Sequence, residues 1–269
     1  MAAGTSIVHL REGGNLWALG ALMGDDGALA ALAHALFKRW RGGDRLVVLG
    51  NMLGPNGDPV RTLDWLLALR RRLLAAPGAR ACDLVFLRGA QEEMWHKALR
   101  LQFALTPLQI FDWMLERGLA ATVEAYGLSI AEGRGACRNG PSTISRWTGT
   151  LRSRQAAYAG HADLLNALSR AARNADGTIL LSAAGADPAR ALDSQADAFW
   201  WNSETDEALA AAIARSESID WSPVRRMVRG VGPSENRAGD EERVVTVARP
   251  TPALIGLAAD GSVIERIEA

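Results

Sequence analysis

The sequence predicts an α/β protein, and three observations carry the prediction. Short apolar runs that end in glycine-bearing loops alternate with stretches of helical period through the first half of the chain. Of the 269 residues, 48% are apolar, enough to build one large core. Strand-like runs return in the second half with no internal repeat and no low-complexity linker, so one domain over 1–269 is the economical expectation.

Residues 16–19 form the first apolar run and stop at a glycine turn, and 28–40 repeat with helical period. Residues 45–49 (RLVVL) read as a buried strand, again ending in Gly. Asp58-Pro59 then opens a helix to about residue 75, with Pro59 in its first turn, where no N–H is needed. A third strand falls at 83–87 (DLVFL). A helix over 92–103 follows, with Met94, Ala98 and Leu101 on one face. Alternation on this length scale argues for βαβ units and a largely parallel sheet, in which function gathers where strands end and loops begin.

Residues 105–126 read as two short helices punctuated by Pro107 and Gly118, and 134–160 as a long, partly ordered basic loop insertion of weak periodicity. A helix from about His161 leads into a strand at 178–181, and a second helix covers 204–215. The chain closes in strand-like runs at 224–228, 243–247 and 253–267, the last with a turn at Asp260-Gly261. Among nine tryptophans, Trp65, Trp95 and Trp113 sit in helical apolar patterns and read as core. The adjacent pair Trp200-Trp201, placed on a strand or turn, would face opposite ways.

Thirty basic and thirty acidic residues give a formal net charge of zero, which carries no bias toward nucleic acid. Every apolar stretch is broken by charge before the ~20 residues of a membrane span. The first ten residues lack the basic-then-apolar order of a signal peptide, so the expected location is cytoplasmic. Two cysteines, Cys82 and Cys137, are too few for a disulfide framework and have no metal-ligand spacing; Cys82, beside a strand, reads as core filling. No GxxxxGK[ST], GxSxG or HExxH pattern is present.

Five loops carry the functional reading: Gly20-Ala21-Leu22-Met23-Gly24, Gly50-Asn51-Met52-Leu53-Gly54, Arg88-Gly89-Ala90-Gln91-Glu92-Glu93, Ala183-Ala184-Gly185-Ala186-Asp187-Pro188 and Gly230-Val231-Gly232-Pro233. In order and framing they resemble the calcineurin-like metallophosphoesterases, in particular the bacterial branch related to serine/threonine protein phosphatases and diadenosine-tetraphosphate hydrolases. That family reads GDxHG, GDxxxRG, RGNHE, HAGxDP and GHTP at these places. The resemblance implies a two-sheet β-sandwich flanked by helices, and a pair of divalent metals, Mn among them, whose bridging hydroxide attacks phosphorus.

It also implies that the chemistry is gone. The Asp and His of the first loop fall on Ala21 and Met23, and the metal-bridging Asp on Asn51, an amide without the charge that holds two cations together. The phosphate-clamping Arg falls on Pro55. The Asn ligand and the proton-transferring His fall on Ala90 and Gln91, and glutamine has no titratable proton. The last two His ligands fall on Ala183 and Val231. The expectation is a catalytically inactive pseudophosphatase, without cofactor, that binds or regulates a protein partner, phosphoproteins included.

The alternative is a divergent metal-dependent phosphoesterase acting on phosphoprotein or nucleotide, with its metal moved to Asp25, Asp26, Asn51 and Glu92, and with Glu93, His96 and Asp187 in reserve. Helix-start acids also serve simply as caps, which is the expectation for Asp25, Asp26, Glu92 and Glu93. A third reading is a metal-free nucleotide sensor on the strand-end glycines. For a partner surface, residues 134–160 hold five arginines and no acid: Arg134, Arg138, Arg146, Arg152 and Arg154, with Trp147 as a contact anchor. Arg88, Arg225, Arg226 and Arg229 would add a basic mouth if they face the same rim.

Overall fold

Strands buried on both faces explain why the runs read as continuous apolar blocks rather than as alternation. The computed structural model describes residues 7–195, 197–201, 204–215, 220–231, 242–249 and 251–269. It contains two five-stranded sheets packed face to face. One runs β10(Val263–Glu268)-β9(Ala253–Leu257)-β2(Leu16–Leu19)-β3(Arg45–Val48)-β4(Leu84–Phe86), and the other β1(Ile7–His9)-β5(Ala171–Arg173)-β6(Ile179–Ser182)-β7(Arg226–Val231)-β8(Val244–Ala248). The triplet β2, β3, β4 is parallel, as is β6, β7, β8, whereas β9, β10 and the β5–β6 pair are antiparallel. Both sheets are therefore mixed rather than a single parallel one.

Alternate side chains of each strand serve different layers. Leu16, Ala18, Val47, Leu49, Val85 and Leu87 meet Ile179, Leu181, Val228, Val245 and Val247 between the sheets. Their neighbours Trp17, Leu19, Leu46, Val48, Leu84 and Phe86 turn outward under α1(Asp26–Arg39), α2(Pro59–Leu74) and α3(Ala90–Ala98). On the far side Leu180, Met227 and Val244 pack under α9(Ala198–Trp201) and α10(Asp206–Ala214). Within RLVVL the four residues after Arg45 are thus apolar on both faces, because neither face of them meets water.

Local chemistry sets the helix starts. The Asp25 carboxylate accepts from the Ala28 N–H (2.8 Å), and Asp58 accepts from the N–H groups of Val60 and Arg61, with Pro59 at the first turn. Each such cap is worth ~1 kcal/mol. The expected pair of short helices over 105–126 is present as α4(Pro107–Met114) and α5(Ala120–Ala125), joined by a π-turn in which Gly118 has φ +100°.

The segment 134–160 is not a loop. It forms most of α6(Ile130–Arg138) and α7(Pro141–Ala156), separated by Gly140 in a left-handed conformation. Ile144, Trp147, Thr148, Leu151 and Gln155 make the buried stripe of α7. Two of those five are polar, which thins the apolar period; Thr148 finds its partner in the Gln102 side chain (2.9 Å). Strands β1 and β5, three residues each, were too short to leave a pattern. Cys82 is exposed in the 3-10 turn before β4 instead of filling the core, and Trp65 and Trp113 stand 43% and 38% exposed, whereas Trp95 is core. Trp200 and Trp201 lie on the short helix α9.

His161, at the start of α8(His161–Asn166), is fully buried between the Tyr126 hydroxyl (2.8 Å from Nδ1) and an Asp64 carboxylate oxygen (3.1 Å from Nε2), under the stacked ring of Tyr158. Burial pushes its pKa below the ordinary 6.5 and outweighs the opposing pull of Asp64. As pH falls through 6.5, the unfolded chain takes up a proton that the folded chain resists, so stability contributed by neutral His161 is present above 6.5 and lost below it. Thermal unfolding is expected to show a lower Tm at about pH 5.5 than at about pH 7.5, and H161Q to flatten that slope. A pH-independent Tm over this range would contradict the account.

Candidate functional site

The five loops meet. Those after β2, β3 and β4 leave one sheet, and those at the ends of β6 and β7 leave the other, all from the same edge of the sandwich. Leu22 N and Met23 N both donate to the Asn51 carbonyl (3.1 and 2.8 Å), and Ala21 N reaches across to the Gly230 carbonyl (3.4 Å). Val231 N donates to Ala183 O (3.0 Å). Gly50, with φ +76°, lies so near the third loop that a Cβ there would sit 2.7 Å from Gly89 N and 3.0 Å from the Ala183 methyl. Gly232 and Pro233 lie outside the described residues.

Glu92 ties the junction together from below. It is 2% exposed, and its carboxylate accepts from Asn51 N (2.8 Å), Leu53 N (2.9 Å) and Gly89 N (2.9 Å). Burial pushes its pKa up, and the three N–H donors pull against that. The expected capping role is present and larger than expected, since the carboxylate also holds two residues of the neighbouring loop.

Asn51 accepts from Gln91 N through Oδ1 (3.1 Å), and Gln91 donates through Nε2 to the Arg117 carbonyl (2.8 Å). Asn51 and Met23 are two of the three non-glycine residues at positive φ among the described residues (50° and 53°). Strain of this kind costs roughly 1–3 kcal/mol per residue and gathers at sites where backbone geometry matters.

These residues do not fit a pair of divalent metals. Ala21, Ala90, Ala183 and Val231 bring hydrocarbon, and Met23 brings a thioether, a soft donor unsuited to a hard cation. Of the two amide oxygens at these positions, Asn51 Oδ1 already accepts from Gln91 N, and Gln91 Oε1 is buried without a hydrogen-bond partner, one neutral oxygen where two cations would need several charged ones. Ala21, Asn51, Gln91 and Ala183 are each 5% exposed or less, while Pro55 is at the surface against Gly118.

The acids of the relocated-site reading are engaged elsewhere. Asp25 caps α1, Asp26 pairs with Arg61 (3.3 Å), and Asp187 pairs with Arg190 (3.0 Å) and caps its own turn at Ala189 N. Glu93 bridges Arg88 (3.0 Å) and Lys97 (3.7 Å). His96 is half-buried, and its pKa is held down by burial and then by the Arg88 and Arg100 charges. Among the described residues, no three His, Cys, Asp or Glu side chains cluster as metal ligands do.

The arginines do not form one mouth. Arg229 is fully buried, with an ion pair to Asp206 (2.6 Å) and further bonds to Thr246 Oγ1 and the carbonyls of Ala184 and Glu204, so it has no face for an anion. Arg225 and Arg226 sit at the opposite end of β7 from Gly230 and Val231, because a strand of six residues separates its two ends by ~16 Å. Trp147 is buried edge-on to Phe111 (5.2 Å) rather than presented as an anchor. Arg134 pairs with Asp112 (2.7 Å), and the exposed Arg152 donates to Leu99 O (2.6 Å). Arg138, Arg146 and Arg154 are exposed, and Arg88 lies partly buried beside Trp200. Neither the buried role of Asp206 nor the exposure of Phe103 and Leu105 left a sequence signal: Leu105 continues the helical spacing of Met94, Ala98 and Leu101, yet it and Phe103 are both exposed.

No family model matches the chain, and no curated protein matches it at a significant level. Solved structures do. A protein serine/threonine phosphatase from Saccharomyces cerevisiae, with similarity to human phosphatase PP5, is 13% identical over 99% of this chain and 84% of its own, with a TM-score of 0.52. A point mutant of a cold-active protein tyrosine phosphatase is 14% identical over 98% of this chain and 83% of its own, with a TM-score of 0.50. A protein provisionally described as a diadenosine tetraphosphatase is 14% identical over 98% and 99%, with a TM-score of 0.49. At such identities the likeness is one of fold, and the chain has the two-sheet α/β fold of these phosphatases.

Proposed function

We propose that this chain is a catalytically inactive member of the phosphatase fold that serves as a binding or regulatory module for a protein partner. One observation carries the reading: where the strand-end loops converge, the positions matched by resemblance to metal and proton-transfer residues carry methyl, isopropyl, thioether and amide groups, and the Glu92 carboxylate is engaged by three backbone N–H bonds. On this reading, the described residues of these loops leave no group to polarise a phosphoryl oxygen or deprotonate water. Replacing clustered acids by apolar residues also removes the like-charge repulsion that an empty metal site carries, which suits a fold whose role is to present a surface.

The test is turnover. With Mn²⁺ present, hydrolysis of p-nitrophenyl phosphate, a phosphoserine peptide and diadenosine tetraphosphate is expected to match that of the N51A variant and of buffer. Saturable turnover lost in N51A or in D26A would overturn the proposal in favour of a displaced metal site.

A further inference from the structure

We propose that the groove between α3, the turn 101–105 and α7 is a docking site for an acidic segment of a partner protein, with one apolar side chain of that segment seated against Phe103 and Leu105. The inference rests on the partner-binding reading above and gives that partner its chemistry. Two adjoining hollows, of about 590 and about 400 Å³, share His96, Arg100 and Phe103 as common wall. Arg88 and Lys97 line the first and Arg152 the second, so four cations face the groove. Among the described residues the one acid on its walls, Glu93, is already shared between Arg88 and Lys97. The pKa of His96 on the shared wall is held down first by burial and then by the Arg88 and Arg100 charges, against the pull of Glu93.

On the shared wall Phe103 is 80% exposed, and two residues further along the chain Leu105 is 99% exposed, the two most exposed large apolar side chains among the described residues. Neither supports the core, and such residues next to a charged groove mark surfaces that meet another molecule. Cations spread along two hollows match a row of carboxylates on an extended segment better than one concentrated phosphate. Guanidiniums also hold carboxylates by paired N–H bonds.

The probe is a fluorescein-labelled peptide of Glu and Asp flanking a single Leu, followed by anisotropy against the full chain. Binding is expected to be saturable, to weaken with salt, and to fall on the order of tenfold in R100E, in R152E and in F103S, all at exposed positions that leave the core intact. R154E, exposed on α7 outside the groove walls, is expected to bind as the parent does. A Gln/Asn analogue and an analogue with Ala for Leu are expected to bind weakly.

Four results would each overturn the proposal: no binding of the acidic peptide, equal binding of the neutral one, binding of a phosphoserine peptide only, or loss in R154E without loss in R100E. Turnover measured on the same sample separates the two ideas. Binding without groove dependence sinks the docking site alone, whereas hydrolysis sinks inactivity and leaves the groove standing.

Discussion

Replacing Glu92 by alanine is expected to destabilise the protein by about 4 kcal/mol, seen as a Tm lower by roughly 8–16 °C. The substitution leaves the N–H groups of Asn51, Leu53 and Gly89 buried without their acceptor, and each such loss is worth ~1–3 kcal/mol. Glutamine at 92 keeps one acceptor oxygen and removes a charge that burial already disfavours, so E92Q is expected to lose well under half as much. A parent-like Tm for E92A would mean that the second and third loops are held by other contacts. The test matters for function because the same three bonds fix the loops in which the fold's chemistry would reside.

The second large effect is on the other sheet. Asp206→Ala strands the Arg229 guanidinium in a site with no access to water, and breaking a buried pair of this kind costs ~3–5 kcal/mol. Removing both charges together, as D206L with R229M, is expected to recover part of that loss, since the buried guanidinium is gone while the partly exposed Arg249, which also reaches Asp206 (3.3 Å), keeps its charge. A denaturant series on the two single variants and the double variant gives the coupling directly. If D206A costs under ~1 kcal/mol, well below the range for a broken buried pair, the two residues are not the anchor of α10 on β7 that the geometry makes them.

Much of the fold was legible because local chemistry and burial agree. Arg45 to Val48 is a strand apolar on both faces, and Asp58-Pro59 starts a helix with a cap and a ring that needs no N–H partner. The pairing of two sheets was not readable from periodicity, which suggested one largely parallel sheet; it came through the resemblance of the loops. The segment 134–160 misled because Thr148 and Gln155 occupy buried positions of α7 as polar residues, and Thr148 takes its partner from a distant turn. Arg229 misled for a related reason. Of the basic residues clustered in sequence at 225, 226 and 229, Arg226 and Arg229 point to opposite faces of β7, and Arg229 turns inward to an acid 23 residues away.

At the candidate site the sequence gives the residues of each loop but not the contacts that join them. Nothing in the order of residues shows that Glu92 spans two loops, that Asn51 accepts from Gln91, or that Asp64, Tyr126 and His161 assemble around a buried imidazole from segments up to 97 residues apart. The groove residues Lys97 and Arg100 were likewise invisible as a group, since they meet Arg152 only through the packing of α7 against the turn 101–103.

We propose that, among the described residues, the converging loops offer no ligand set for a pair of divalent metals. The direct measurement is Mn²⁺ content after equilibrium dialysis of the full chain against micromolar metal. The account predicts no retention above that of the dialysis buffer, and no rise in Tm on adding Mn²⁺. Stoichiometric retention, lost on substituting Asp26 or Asn51, would contradict this and place a working cation site among the strand-end loops.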